Sequence, residues 1–170
     1  MKMKSIITGI VCAAVLVGVV VFLMPNDRRK IKKQFSRMSK HMAKEREESV
    51  LVMATKGASV MDLLTDPCEI QSADMKWLGV TQEICSKNEA VKIMTMFRDQ
   101  FSVMSLSFQN INIDLVDKNS ANVELCAKLE GKTRADEAVR EIRVIKCVLL
   151  KKGRKWLFNK CIVSEIAQEK

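Results

Sequence analysis

From Ser5 to Met24 the chain reads SIITGIVCAAVLVGVVVFLM, 20 consecutive positions without a charge. That is about the length an α-helix needs to cross a hydrocarbon core, so whatever follows is expected to be tied to a membrane. A cleavable signal has a shorter apolar core and small residues ahead of the cut. Here the run ends Val20-Val21-Phe22-Leu23-Met24-Pro25, which provides no such site. Gly9-Ile10-Val11 before Cys12 also make a poor lipoprotein signal. The reading is an uncleaved transmembrane anchor over residues 1–24. A buried core helix would instead need an equally apolar partner, which the rest of the chain lacks.

The flanks pull the topology two ways. Lys2 and Lys4 precede the run, and Arg28, Arg29, Lys30, Lys32 and Lys33 follow it. The positive-inside rule applied to that count favours a cytoplasmic C-terminal domain. The short basic N-tail resembles an ordinary export signal and favours the opposite. The formal charge is +9, and +7 remains once Lys2 and Lys4 are set aside. An excess of that size suits an anionic surface, and the five basic residues after the anchor are the candidates for anionic headgroup contact.

Beyond the anchor, 146 residues suffice for one domain with a real core. Asp27 can cap a helix whose apolar positions Ile31, Phe35, Met38 and Met42 form one stripe. Its other face carries Lys30, Lys33, Arg37, Lys40, Lys44 and Arg46. Residues 25–47 thus read as a basic juxtamembrane helix, the first of the domain, and 48–170 as its remainder. A second helix is predicted from Ser49 to Leu64 with Leu51, Ala54, Ala58, Met61 and Leu64 buried, stopped by Asp66-Pro67. Cys68 to Val80 reads as an irregular strand or loop. Ser86 and Glu89 have capping-box spacing for a third helix reaching Phe101, with Ala90, Ile93, Met94 and Phe97 inside.

The period then changes to 2. Met104, Leu106 and Phe108 alternate, and Ile111, Ile113 and Leu115 alternate in the opposite phase. One extra residue near Gln109-Asn110 would reconcile them as a β-bulge. Further strands are predicted at Ala121–Leu129, Ile142–Leu150 and Trp156–Ile166, the last two joined through Lys152-Gly153. The expected fold class is α+β: an N-terminal transmembrane helix, then about three helices on a curved, mostly antiparallel sheet of four or more strands.

Composition removes several functions. Zinc ligation normally needs paired cysteines, and Cys68, Cys85, Cys126, Cys147 and Cys161 include no C-x-x-C, so no metal is expected. Aromatics are 5% with no Tyr, which removes the usual stacking residues, so no nucleic-acid partner is expected.

The order of elements, together with Leu63-Leu64-Thr65-Asp66-Pro67-Cys68, the run Phe101 to Leu115 and the hairpin Leu149 to Phe158, resembles the nuclear transport factor 2-like superfamily (SnoaL-like, cystatin-like) of α+β cones. More narrowly it resembles uncharacterised bacterial members with an N-terminal anchor. The likeness covers about Asp27 to Ile166. It implies a cone-shaped domain on the inner membrane, facing the periplasm or exterior. Enzymes of that superfamily work in the open end of the cone with an Asp, a His–Asp pair or Tyr hydroxyls. The single His, His41, falls at the border of the first helix's stripe, and Asp114 should face outward. No catalytic residue and no cofactor is therefore assigned.

Lys146 and Lys160 share parity with apolar neighbours, and a three-residue hairpin loop would set them face to face. Two ammonium groups on an apolar face are costly without an anion, so they are candidates, with Trp77 and Asp99, for a pocket taking an acidic or apolar ligand. The alternative is that both lysines snorkel out at the sheet edge. A two-residue loop sets Cys147 opposite Phe158, where it would not bridge Cys161. Cys68 and Cys85 are the better pair if the domain is exported, against idle buried thiols. The leading expectation is a membrane-tethered, non-enzymatic binding or assembly module, with a homodimer or protein partner through the sheet. The alternative is a small-ligand carrier or enzyme using the cone's cavity.

Overall fold

The structure is a computed structural model that describes residues 27–72 and 82–166. The anchor expected at Ser5–Met24 and the candidate Trp77 lie outside the described residues. Among those described, no helix is long and apolar enough to cross a membrane.

Three helices and six strands follow in the order α1 (Asp27–Met42), α2 (Val50–Met61), β1 (Leu64–Ser72), β2 (Gln82–Cys85), α3 (Lys87–Asp99), β3 (Phe101–Leu115), β4 (Ser120–Thr133), β5 (Ala138–Lys152) and β6 (Lys155–Ile166). The strands form one sheet ordered β2-β1-β6-β5-β4-β3. Only β1 and β6 run parallel. The long strands are antiparallel neighbours, as the period-2 pattern required.

Helix α1 buries Ile31, Phe35, Met38 and Met42, the whole predicted stripe, against the concave face of the sheet. Helix α3 starts at the capping box: Ser86 accepts from the Glu89 backbone and the Glu89 carboxylate accepts from Ser86 N. The bend in β3 comes from one extra residue between Gln109, opposite Cys126, and Asn112, opposite Glu124. Asn110 sits there at φ 53°, a left-handed conformation that Asn tolerates better than most residues. Near the other end of β3, Gly131 of β4 lies so close to Val103 that an added Cβ would fall 2.3 Å from the Val103 carbonyl oxygen. Just past α1, Lys44 exchanges both backbone hydrogen bonds with Met104 (2.7 and 2.9 Å) and so covers part of the outer edge of β3.

Two expectations fail here. Helix α2 ends at Met61, not Leu64, and of its residues only Val60 is buried. Leu51, assigned to the inner side, is 76% exposed. Its turn end is fixed instead by Leu63 and Leu64, which dive into the core as the chain enters β1. Asp66-Pro67 therefore lies inside β1, with a cis peptide, in the gap between the Leu64 and Glu69 pairings to β6. A proline has no N–H to give a ladder, so it fits where the ladder is broken. The sheet also gains β1, whose part from Cys68 on reads in the sequence as an irregular strand or loop, and β2, which the sequence pattern does not lead one to expect.

The helices are locked by one buried charge cluster. Arg98, at the end of α3, donates from Nε to the Met42 carbonyl (3.1 Å) and from Nη2 to the Ala43 carbonyl (3.1 Å) and Glu48 Oε2 (2.6 Å). Lys56 of α2 closes on the other Glu48 oxygen and on the Ala43 carbonyl (2.8 Å). Burial works to raise the Glu48 pKa, but the hydrogen bonds from Lys56 and Arg98 outweigh it and hold the carboxyl below its ordinary 4.5. A depressed folded-state pKa gives stability that is complete above the ordinary value and is lost as pH falls through the folded one. Arg98→Met should therefore cost about 3 kcal/mol near neutrality, because it leaves Glu48 half-paired and the Met42 carbonyl without its side-chain donor. Urea unfolding is the measurement. Glu48→Gln should flatten the loss of stability below about pH 4.5 relative to the parent chain.

Candidate functional site

The inner rows of the sheet and the undersides of α1 and α3 enclose a cavity of about 430 Å³. Alternation along β4 sends Ala121, Val123, Leu125 and Ala127 inward. On β5 the odd residues Val139, Ile145 and Cys147 do the same, and β3 adds Leu106 and Phe108. The roof consists of Phe35, Met38 and Met42 from α1 and Ile93, Met94 and Phe97 from α3. Phe35 packs edge-on against Phe108 (5.4 Å) and Phe158 (4.9 Å), which holds the roof at a fixed height.

Charged groups enter this wall at two places. Arg143 donates from Nε and Nη2 to Glu141 Oε2 (2.9 and 2.8 Å), so the charge of one is answered by the other. Across the cavity, at the β1–β6 seam, Lys160 Nζ lies 2.8 Å from Glu69 Oε1. Beside it Thr65 Oγ1 donates to the Pro67 carbonyl (2.6 Å) and stands 3.1 Å from Asn159 Oδ1. Gln100, just ahead of β3, adds an amide, and the remainder of the wall among the described residues is hydrocarbon, aromatic ring and thiol.

The sequence candidates separate. Lys160 belongs to the cavity wall; Lys146 does not. Lys146 is opposite Ile162, its side chain is 60% exposed, and its nearest carboxylate is Glu124 at 3.8 Å. The expected face-to-face lysines fail because the β5–β6 loop is Gly153-Arg154, with Lys152 opposite Lys155, and Gly153 taking φ 62°. Asn159 then adds one residue between the pairs Leu149–Phe158 and Val148–Lys160. The same two facts overturn the expected partner of Cys147. It lies opposite Cys161, not Phe158, with 3.3 Å between the sulfurs.

Asp99 also stays out of the cavity wall. It ends α3 and is held by Lys44 (3.3 Å) and Arg134 (3.8 Å), while the following Gln100 and Phe101 reach the cavity. His41 is half-buried on α1 away from that wall, and burial, aided by Arg37, Lys40 and Lys56, lowers its pKa. Asp114 is exposed, as its alternation required. Of the basic residues that follow the uncharged run, Arg28 donates to the Ile113 carbonyl (2.6 Å) and Lys30 lies 3.5 Å from Asp27. Arg29, Lys32 and Lys33 are exposed.

The cysteines come together in a way their spacing concealed. Cys68 and Cys85 are directly opposite in the β1–β2 ladder, with sulfurs 3.8 Å apart. Burial and the adjacent Cys85 thiol push the Cys68 thiol up to about 12. Contact with Cys161, and burial, push Cys147 well above the ordinary thiol range. Among the described residues no group of His, Cys, Asp or Glu is arranged to hold a metal ion.

No protein-family model matches the sequence, and no curated protein does. Solved structures do. A protein assigned as a scytalone dehydratase from Novosphingobium aromaticivorans superposes with TM-score 0.67 at 15% identity, covering 84% of this chain and 85% of that one. A hexachlorocyclohexane dehydrochlorinase, LinA type 3, from Novosphingobium barchaimii gives 0.65 at 10%, covering 84% and 87%. A cystatin-like protein of unknown function from Nostoc punctiforme gives 0.62 at 14%, covering 84% and 92%. At these identities the likeness speaks for the fold. The described domain has the nuclear transport factor 2-like, cystatin-like α+β cone fold.

Proposed function

We propose that this chain is a membrane-tethered, non-enzymatic binding module whose cone takes an apolar small molecule. The observation that carries this reading is the cavity. It is of ligand size, lined almost wholly by Leu, Ile, Val, Met, Phe and Cys, and its charged residues already answer one another as Glu141–Arg143 and Glu69–Lys160. A paired carboxylate or ammonium is poorly placed to receive an acidic ligand, so an uncharged one fits better. Enzymes stand among the structural neighbours, yet among the described residues the cavity wall holds no His, Tyr or Asp, and its two carboxylates, Glu69 and Glu141, are engaged by Lys160 and Arg143.

The uncharged run Ser5–Met24 supports the tether, and its closeness to Asp27 would keep the cone near the headgroups from which apolar molecules partition. Exposed Arg29, Lys32 and Lys33 would add attraction to anionic lipid. The domain is taken to face the periplasm or exterior. An assembly role through the outer face of the sheet, as a homodimer, is the second reading. It is favoured by the row Ile142, Val144, Val148 and Leu150 on the side of β5 away from the cavity.

An uncharged fluorescent naphthylamine titrated into the detergent-solubilised chain should show saturable enhancement with one site per chain. Ala127→Phe, which fills the cavity, should weaken that binding at least tenfold, and Lys146→Ala should leave it unchanged. Non-saturable enhancement, or equal affinity in a folded Ala127→Phe protein, would sink the cavity reading. Alkaline carbonate washing of cell membranes should leave the full chain in the pellet and release one beginning at Pro25; release of both removes the tether.

A further inference from the structure

Four cysteines occupy two neighbouring rows across four adjacent strands. Cys85 on β2 faces Cys68 on β1, and Cys161 on β6 faces Cys147 on β5. The two pairs meet at the β1–β6 seam, where Cys161 is level with Ile70, two residues from Cys68 on the same face. Within each pair the geometry suits a covalent link. Directly opposite residues of an antiparallel ladder hold their Cα atoms about 4.5–5.5 Å apart, inside the span a disulfide requires. The sulfurs are already 3.8 and 3.3 Å apart, so side-chain rotation alone has to close the rest.

The geometry points to a modification site: Cys68–Cys85 and Cys147–Cys161 are two cross-strand pairs built to become disulfides as the domain folds in an oxidising compartment. The oxidant is a disulfide donor, small or protein-borne. One cysteine thiolate attacks a donor sulfur, forms a mixed disulfide and releases one donor thiol. Its partner thiolate then attacks the cysteine sulfur of that mixed disulfide and releases the second. Each protein pair loses two electrons and two protons, and the donor is reduced to two thiols. The order of events matters, because three of the four sulfurs become buried and buried thiols exchange slowly. The links therefore form before the core closes.

Partners are 17 and 14 residues apart in sequence, so each link closes a short loop and restrains the unfolded chain. The Cys68–Cys85 link ties down both ends of residues 69–84. The Cys147–Cys161 link fixes the wall of the cavity between β5 and β6. The inference is independent of any ligand, and it bears on topology: paired cysteines of this kind persist outside the reducing cytoplasm.

The full chain, unfolded in detergent and urea and refolded against a mixture of glutathione and its disulfide, decides the matter. Its intact mass should fall by about 4 Da, the four thiol hydrogens. Two of the six cysteines, Cys12 and Cys126, should remain open to alkylation after denaturation. Peptide mapping should recover 68–85 and 147–161, and the melting temperature should exceed that of the reduced chain by about 5–10 °C. The double variant Cys147→Ser, Cys161→Ser should still lose about 2 Da and keep the 68–85 link. Six alkylatable thiols after refolding, or a 68–161 link as the main product, would overturn the proposal.

Discussion

Phe35 stands where the helix, the bent strand and the last hairpin meet. Its two edge-on contacts, with Phe108 and Phe158, set the spacing between α1 and the sheet. A smaller residue there would let the roof settle and close the space beneath it; a larger one would lift it and wet the core. The Arg98–Glu48–Lys56 cluster does the complementary task of tying α3 and α2 to the end of α1. Aromatic spacing on one side and a charge lock on the other keep a cavity open inside a domain whose remaining interior is packed.

Much of this was legible in the sequence because the signals were local. The α1 stripe, the Ser86–Glu89 box and the phase change at Gln109-Asn110 each depend on residues a few positions apart, and each appears where expected. The failures share a different origin. The facing of Lys146 and Lys160 and the partner of Cys147 both depended on hairpin register, which moved through a loop beginning one residue later and an unforeseen bulge at Asn159. Asp99 sat correctly near the cavity in sequence but was turned toward Lys44 and Arg134, partners 55 and 35 residues away. The start of β1 and the whole of β2 escaped because a proline interrupts one and the other is only four residues long.

The charge distribution follows from the same architecture. A chain carrying a formal +9 places almost none of that excess inside the cone. The cations that reach the wall, Arg143 and Lys160, are each met by a carboxylate, while α1 directs Arg29, Lys32, Lys33 and Arg37 outward. An apolar interior and a basic exterior can thus coexist in one small domain, with α1 as the partition between them.

Asn159 has a consequence that reaches beyond register. Because it stands outside the ladder, Cys161 falls level with Cys147 and Lys160 with Val148. Were Asn159 itself paired with Val148, every later residue of β6 would shift by one: an ammonium would face the thiol of Cys147, and the sulfurs would part. One residue left out of the ladder thus decides which side chain Cys147 meets across the strand: a second sulfur, and not an ammonium.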